Sequence, residues 1–75
     1  MADILSEKVV KRSVTIAGHT TSISLEEPFW SALRAIAKAE GRSLAALITD
    51  IDERRGTNLS SALRLYVLDY LQTAK

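Results

Sequence analysis

Lys8, Lys11 and Arg12 put three cations within five residues. That spacing either keeps a strand end solvated or offers an arm to phosphate oxygens. Arg42 and Ser43 are a second candidate pair. A serine that opens a helix leaves backbone N–H groups at the positive end of the helix dipole, and a neighbouring arginine would complete an anion site. The same two residues equally describe a plain capped turn. The acidic run Asp50-Ile51-Asp52-Glu53 has magnesium-ligand composition, but Arg54 and Arg55 follow directly and give it the character of a solvated helix end. His19 is the sole histidine and there is no cysteine, so disulfides, thiolate metal sites and a zinc cage are excluded. No convergent carboxylates or nucleophile with a base remain to build a catalytic centre. The chain is therefore expected to be no enzyme and to carry no cofactor or metal.

The elements that position these groups begin with Thr20-Thr21-Ser22-Ile23-Ser24-Leu25. In an extended chain Thr21, Ile23 and Leu25 fall on one face and Thr20, Ser22 and Ser24 on the other. Ser13-Val14-Thr15-Ile16-Ala17 alternates in the same way. Gly18-His19 between them has the chemistry of a two-residue type II′ hairpin turn. That register sets Val14 against Ile23, Ile16 against Thr21 and Thr15 against Ser22, with Ser13, Thr15 and Ala17 joining the hydroxyl face. A free arm is the other reading of residues 13–17. His19 reads as a turn residue.

Three helices should follow. The first begins near Glu26, with Ser24 and Glu27 spaced as a capping box and Pro28 tolerable only in the first turn. Phe29, Trp30, Leu33, Ile36 and Ala37 form its apolar stripe. Gly41 stops it in the manner of a C′ glycine, and Ser43 caps a second helix whose stripe is Leu44, Leu47, Ile48 and Ile51. Gly56 is the expected stop of that helix. Thr57 or Asn58 then caps a third, with Leu59, Ala62, Leu63, Tyr66, Val67, Tyr70 and Leu71 on one face and Leu65 and Leu68 off it. Apolar residues on more than one side of a helix call for a subunit contact beyond its own chain.

A chain of 75 residues buries only about 60% of the surface its unfolded form exposes. Without disulfides or metal, oligomerisation is the remaining remedy. Ten Lys and Arg against nine Asp and Glu leave a net charge of +1, so any anion site depends on local placement. The first residues lack the basic start and apolar core of a signal peptide, and no apolar run approaches the ~20 residues of a membrane span. A soluble, cytoplasmic protein with no membrane contact is expected. Residues 1–11 read as a flexible, basic-ended arm and residues 12–75 as one domain.

The order strand, helix, Gly41-Arg42-Ser43 turn, helix resembles the ribbon-helix-helix class of DNA-binding proteins, the Arc and MetJ type. More specifically, Arg12-Ser-Val-Thr-Ile16, Thr21-Ser-Ile-Ser-Leu-Glu26, Phe29-Trp30 and Asn58-Leu-Ser-Ser-Ala-Leu-Arg64 look like a small bacterial family of such proteins with an added C-terminal helix. The resemblance implies a mainly α fold with a short β ribbon, in which two chains pair their strands into an intertwined homodimer. It implies base contacts from Thr20, Ser22 and Ser24, and phosphate contacts from Arg42 and Ser43, with Lys8, Lys11 and Arg12 adding attraction. Ile23, Leu25, Phe29, Trp30, Leu33, Leu44, Leu47 and Ile48 would then form the dimer core.

Two functions follow as expectations. One is a dimeric transcriptional regulator that places the ribbon in the major groove of double-stranded DNA. The other is a dimeric protein-interaction module, antitoxin-like or an adaptor, that keeps the fold without strong DNA reading. Association beyond a dimer, or a protein partner on the C-terminal helix, is compatible with either.

Overall fold

The computed structural model describes residues 8–73, which form a two-stranded antiparallel sheet followed by three helices. Strand β1 is Val9–Ile16 and β2 is His19–Glu26. Residues 9–11, expected in an arm, are therefore part of the ribbon, where Val9 pairs with Glu26 and Val10 with Leu25. Residues 1–7, the remainder of that expected arm, lie outside the described residues, as do residues 74 and 75.

The hairpin forms, but its turn is Ala17-Gly18, not Gly18-His19. Both turn residues have positive φ, +50° and +83°. Two left-handed residues in a two-residue loop make a type I′ turn, whose twist matches that of the flanking strands. Ile16 consequently pairs with His19, Val14 with Thr21, Arg12 with Ile23 and Val10 with Leu25. This register completes two matched eight-residue strands before the helix begins, whereas the expected one would carry Val10 past the strand end to Glu27. Each partner moves by two residues, so every side chain keeps the face the alternation assigned it. Ile16, Ile23 and Leu25 are buried against the helices, and Val10 and Val14 pack beside them.

Helix α1 (Glu27–Ala39) has Glu26 as its N-cap, in extended conformation and with no side-chain capping bond. The expected Ser24–Glu27 capping box is absent because β2 continues to Glu26 and holds Ser24 opposite Lys11. Trp30, Leu33, Ile36 and Ala37 face the core. The Trp30 indole Nε1 donates to the Val10 carbonyl at 2.9 Å, tying helix to strand from inside the core.

At the other end Gly41 N donates to Lys38 O and Arg42 N to Ala37 O, with Gly41 at φ +69°. This is a Schellman closure, as its C′ glycine implied. Ser43 Oγ accepts from Ala46 N at 3.1 Å and opens α2 (Leu44–Arg54), which buries Leu47, Ile48 and Ile51.

The expected stop at Gly56 is corrected. The chain already leaves the helix at Arg55, which is extended at φ −69°, and Gly56 carries no left-handed φ. The Arg55 guanidinium fixes that exit by donating to Asp52 at 2.7 Å and to the Thr57 carbonyl at 2.9 Å.

Helix α3 (Leu59–Thr73) is capped by Asn58, whose Oδ1 accepts from Ser61 N at 2.9 Å. Ala62, Leu63 and Val67 are buried, with Leu59, Tyr66 and Tyr70 partly so. Leu71, expected on that packed face, is 58% exposed.

Of the expected dimer-core residues, Ile23, Leu25, Trp30, Leu33, Leu47 and Ile48 are already buried by their own chain, and Phe29 and Leu44 are half-buried. Fully burying a side chain of this size contributes roughly 1.5–3 kcal/mol. One chain thus closes a core around Trp30 without a second.

Candidate nucleic-acid interface

Because Ile16 and His19 close the turn, their pair and every second pair after it exchange hydrogen bonds across the ribbon. These residues point their side chains at the helices. The intervening residues present the opposite face: Lys11 beside Ser24, Ser13 beside Ser22, and Thr15 beside Thr20. All six are exposed.

Five hydroxyls therefore stand in rows on strands ~4.8 Å apart, with ~6.8 Å between successive rows along the ribbon, and one ammonium ends the array. A two-stranded ribbon of this width fits a major groove ~12 Å across. Hydroxyls both donate and accept, so they match base-edge donors and acceptors, while Lys11 suits a phosphate.

Thr20, Ser22, Ser24 and Lys11 are thus brought together, and Lys8 lies exposed one residue before β1. Ser13 and Thr15 complete the face. They are not among the expected base-contacting residues, although the alternation of β1 already set them on it.

Arg12 is not on this face. It shares the helix side with Val10 and Val14, where its Nη2 lies 3.3 Å from Glu27 Oε2 and its guanidinium sits 5.8 Å from the Trp30 ring centroid. Glu27 also receives Arg34 at 2.9 Å. The hydrogen bond from Arg34, and then that from Arg12, hold the Glu27 carboxyl below the usual carboxylate range.

Arg42 is likewise engaged, at 2.8 Å from Glu40 and 3.4 Å from Asp50, while Ser43 serves as the α2 cap. Arg54 pairs with Asp50, Arg55 with Asp52, and Arg64 with Glu26. Glu26 is held below the usual range by its own backbone amide and then by Arg64.

Every arginine therefore has a carboxylate partner, whereas Lys8, Lys11 and Lys38 have none among the described residues. Asp50 and Asp52 of the acidic run are the other halves of these pairs. Among the described residues no group of three or more His, Asp or Glu side chains is placed to hold a metal. None of the described helices is long and apolar enough to cross a membrane.

The Ribbon-helix-helix domain family matches residues 9–71. The chain belongs to the ribbon-helix-helix family. Ribbon-helix-helix domains are typically found in DNA-binding transcription regulators or antitoxins, and are typically regulatory and not enzymatic. Among solved structures this ribbon-helix-helix chain is similar to an uncharacterized protein from Bordetella pertussis Tohama I, with a TM-score of 0.77 and 31% identity. The match covers 95% of this chain and 62% of that one, so the chain spans less than two thirds of the length of its structural neighbour. No curated protein matches it.

Proposed function

We propose that this ribbon-helix-helix chain is a DNA-binding transcriptional regulator that acts as a homodimer in the cytoplasm. The outward face of its β1–β2 hairpin would enter the major groove. The observation that carries this reading is the uncovered array of Ser13, Thr15, Thr20, Ser22 and Ser24 with Lys11, on a ribbon of groove width whose other face is committed to the core. Base contacts fall to Thr20, Ser22 and Ser24, joined by Ser13 and Thr15. Phosphate contacts fall to Lys8 and Lys11, with the α2 N-terminus at Arg42 and Ser43 as a further contact. Arg12 contributes by holding the ribbon on α1.

The charge arrangement sets the expected salt dependence. Lys8 and Lys11, which have no carboxylate partner among the described residues, give four lysines in a dimer, and each neutralised phosphate contributes a log–log slope of about −0.9, so the affinity should fall with salt at a slope of about −4. A fluorescence-anisotropy titration on mixed genomic fragments at several salt concentrations measures it. Ser22→Glu puts a carboxylate at the centre of the array and should abolish binding with no loss of helical signal. Absence of binding by the unsubstituted protein at low salt would remove this reading.

The alternative, a dimeric interaction module of antitoxin or adaptor type, is favoured by one observation. The arginines that ordinarily supply the strongest base and phosphate contacts are all spent on carboxylates. A stable, associated protein that binds no DNA at low salt would support it.

A further inference from the structure

The tip of the hairpin and the joint between α2 and α3 border a cleft of about 310 Å³. Ile16, Ala17, His19 and Thr21 wall it from the ribbon, and Asp52, Arg55 and Leu59 from the helices. It lies on the side of the ribbon turned away from the hydroxyl array, because Ile16 pairs with His19 and Thr21 shares the face of His19. A volume of this size is at the lower end of those that hold small-molecule ligands, and the lining joins an apolar wall to a few polar groups, as such sites do.

The charges in the cleft are only partly spent. Arg55 Nε donates to Asp52 Oδ1 at 2.7 Å and Arg55 Nη1 to the Thr57 carbonyl at 2.9 Å, so both side chains are fixed in place. Those bonds leave Asp52 Oδ2 as an acceptor and Arg55 Nη2 as a donor. The Asp52 side chain is 31% exposed and that of Arg55 42%, enough for a ligand to reach either. On the ribbon wall the His19 ring and the Thr21 hydroxyl can each donate and accept.

We infer that this cleft binds a free α-amino acid with an apolar side chain. Charge complementarity selects that class. A simple carboxylate would be drawn to Arg55 and repelled by Asp52, and a simple amine would meet the reverse. Both groups are satisfied only by a ligand that carries both charges within a few ångströms, since their own contact is 2.7 Å. An α-amino acid bears its ammonium and carboxylate on one carbon. The ammonium would donate to Asp52 Oδ2 and the Thr21 hydroxyl, and the carboxylate would accept from Arg55 Nη2 and the His19 ring. The side chain would lie on Ile16, Ala17 and Leu59.

The inference goes beyond the proposed function, because binding in the cleft requires no DNA. The ligand touches both walls and so ties the hairpin tip to the end of α2. By linkage, whatever factor the amino acid contributes to DNA affinity, DNA contributes to the affinity for the amino acid.

The test is a titration of the ¹⁵N-labelled full chain, followed by amide chemical shifts. The ligands are L-leucine and L-phenylalanine, with 4-methylpentanoate and 3-methylbutylamine, which are leucine without its ammonium and without its carboxylate. At least one amino acid should shift the amides of residues 17–21 and 52–59 saturably. The two truncated compounds should bind about 10-fold or more weakly than leucine.

Asp52→Asn removes both the partner of the ammonium and the repulsion of a lone carboxylate. It should weaken amino-acid binding about 10-fold or more and close the gap between leucine and 4-methylpentanoate. Thr21→Val keeps a β-branched residue in the strand and loses only the hydroxyl, so it should weaken the amino acid about 2- to 10-fold at unchanged helical signal. If Asp52→Asn unfolds on releasing Arg55, Thr21→Val carries the test.

Shifts that never saturate, that fall elsewhere in the chain, or that are equal for leucine and its two truncated forms overturn the inference. DNA binding by a protein that shows no saturable shifts overturns it as well and leaves the DNA reading standing. Saturable binding by a protein that fails to bind DNA supports the cleft and removes only the DNA reading.

Discussion

Ala17 is the residue on which the corrected turn can be tested most sharply. At φ +50° it holds a left-handed conformation that costs an L-residue with a Cβ roughly 1–2 kcal/mol. Asparagine tolerates that conformation better and, followed by Gly18, gives the Asn-Gly pair that type I′ turns favour. Ala17→Asn should therefore recover part of the cost, about 0.5–1 kcal/mol. For a domain of this size, that is a rise in thermal midpoint of about 2–8 °C.

A β-branched residue is worse than alanine at positive φ, so Ala17→Val should lower stability by about 1 kcal/mol or more. Thermal and urea unfolding followed by circular dichroism measure both variants. The comparison discriminates because the alternative turn at Gly18-His19 makes residue 17 the last residue of β1. There valine would help and asparagine would hurt. A midpoint that rises with Ala17→Val and falls with Ala17→Asn refutes the Ala17-Gly18 turn.

Two glycines at helix ends should respond with opposite signs. Gly41→Ala places a Cβ in open space but at φ +69°, and should cost about 1–2 kcal/mol from the backbone alone. Gly56→Ala, equally open and with no left-handed φ, should gain about 0.4–1 kcal/mol by restricting the unfolded chain. Urea midpoints of the two variants check both signs.

Acid should destabilise the fold through Glu26 and Glu27. Both hold their protons less tightly folded than unfolded, so their contribution is present above the ordinary carboxylate range and is lost as pH falls through their lowered folded values. Glu26→Gln and Glu27→Gln should each flatten the fall in thermal midpoint with acid, and an unchanged slope would count against these pairs.

How much of the fold was legible depends on how local its cause is. The C′ glycine at Gly41 and the Ser43 cap were readable, and the third helix's cap was narrowed to Thr57 or Asn58, because each is decided within a few residues by backbone groups that need partners. The faces of β1 and β2 were readable because a period of two survives a register change of two. The turn was not, since Gly18 suits either neighbouring position and the choice depends on matching the far ends of the strands near Val9 and Glu26.

The candidate site divides in the same way. Alternation placed the hydroxyls, but cation spacing could not reveal that Arg12 and Arg42 find carboxylates in space. Arg12 reaches Glu27, fifteen residues on, and Arg64 reaches Glu26, thirty-eight residues back. Leu71 was misplaced because helical periodicity records which residues are apolar and not how far a neighbouring helix extends.

The hairpin within one chain also determines how the molecule comes into being. β1 and β2 meet across two residues, so their pairing is a unimolecular event on the order of 1–10 µs. A ribbon shared between two chains must wait for a collision, and dilution would then melt it together with its core. Here strand pairing and burial of Trp30 proceed at the same rate in one molecule or in many. A chain at very low abundance therefore keeps its ribbon and the core beneath it intact.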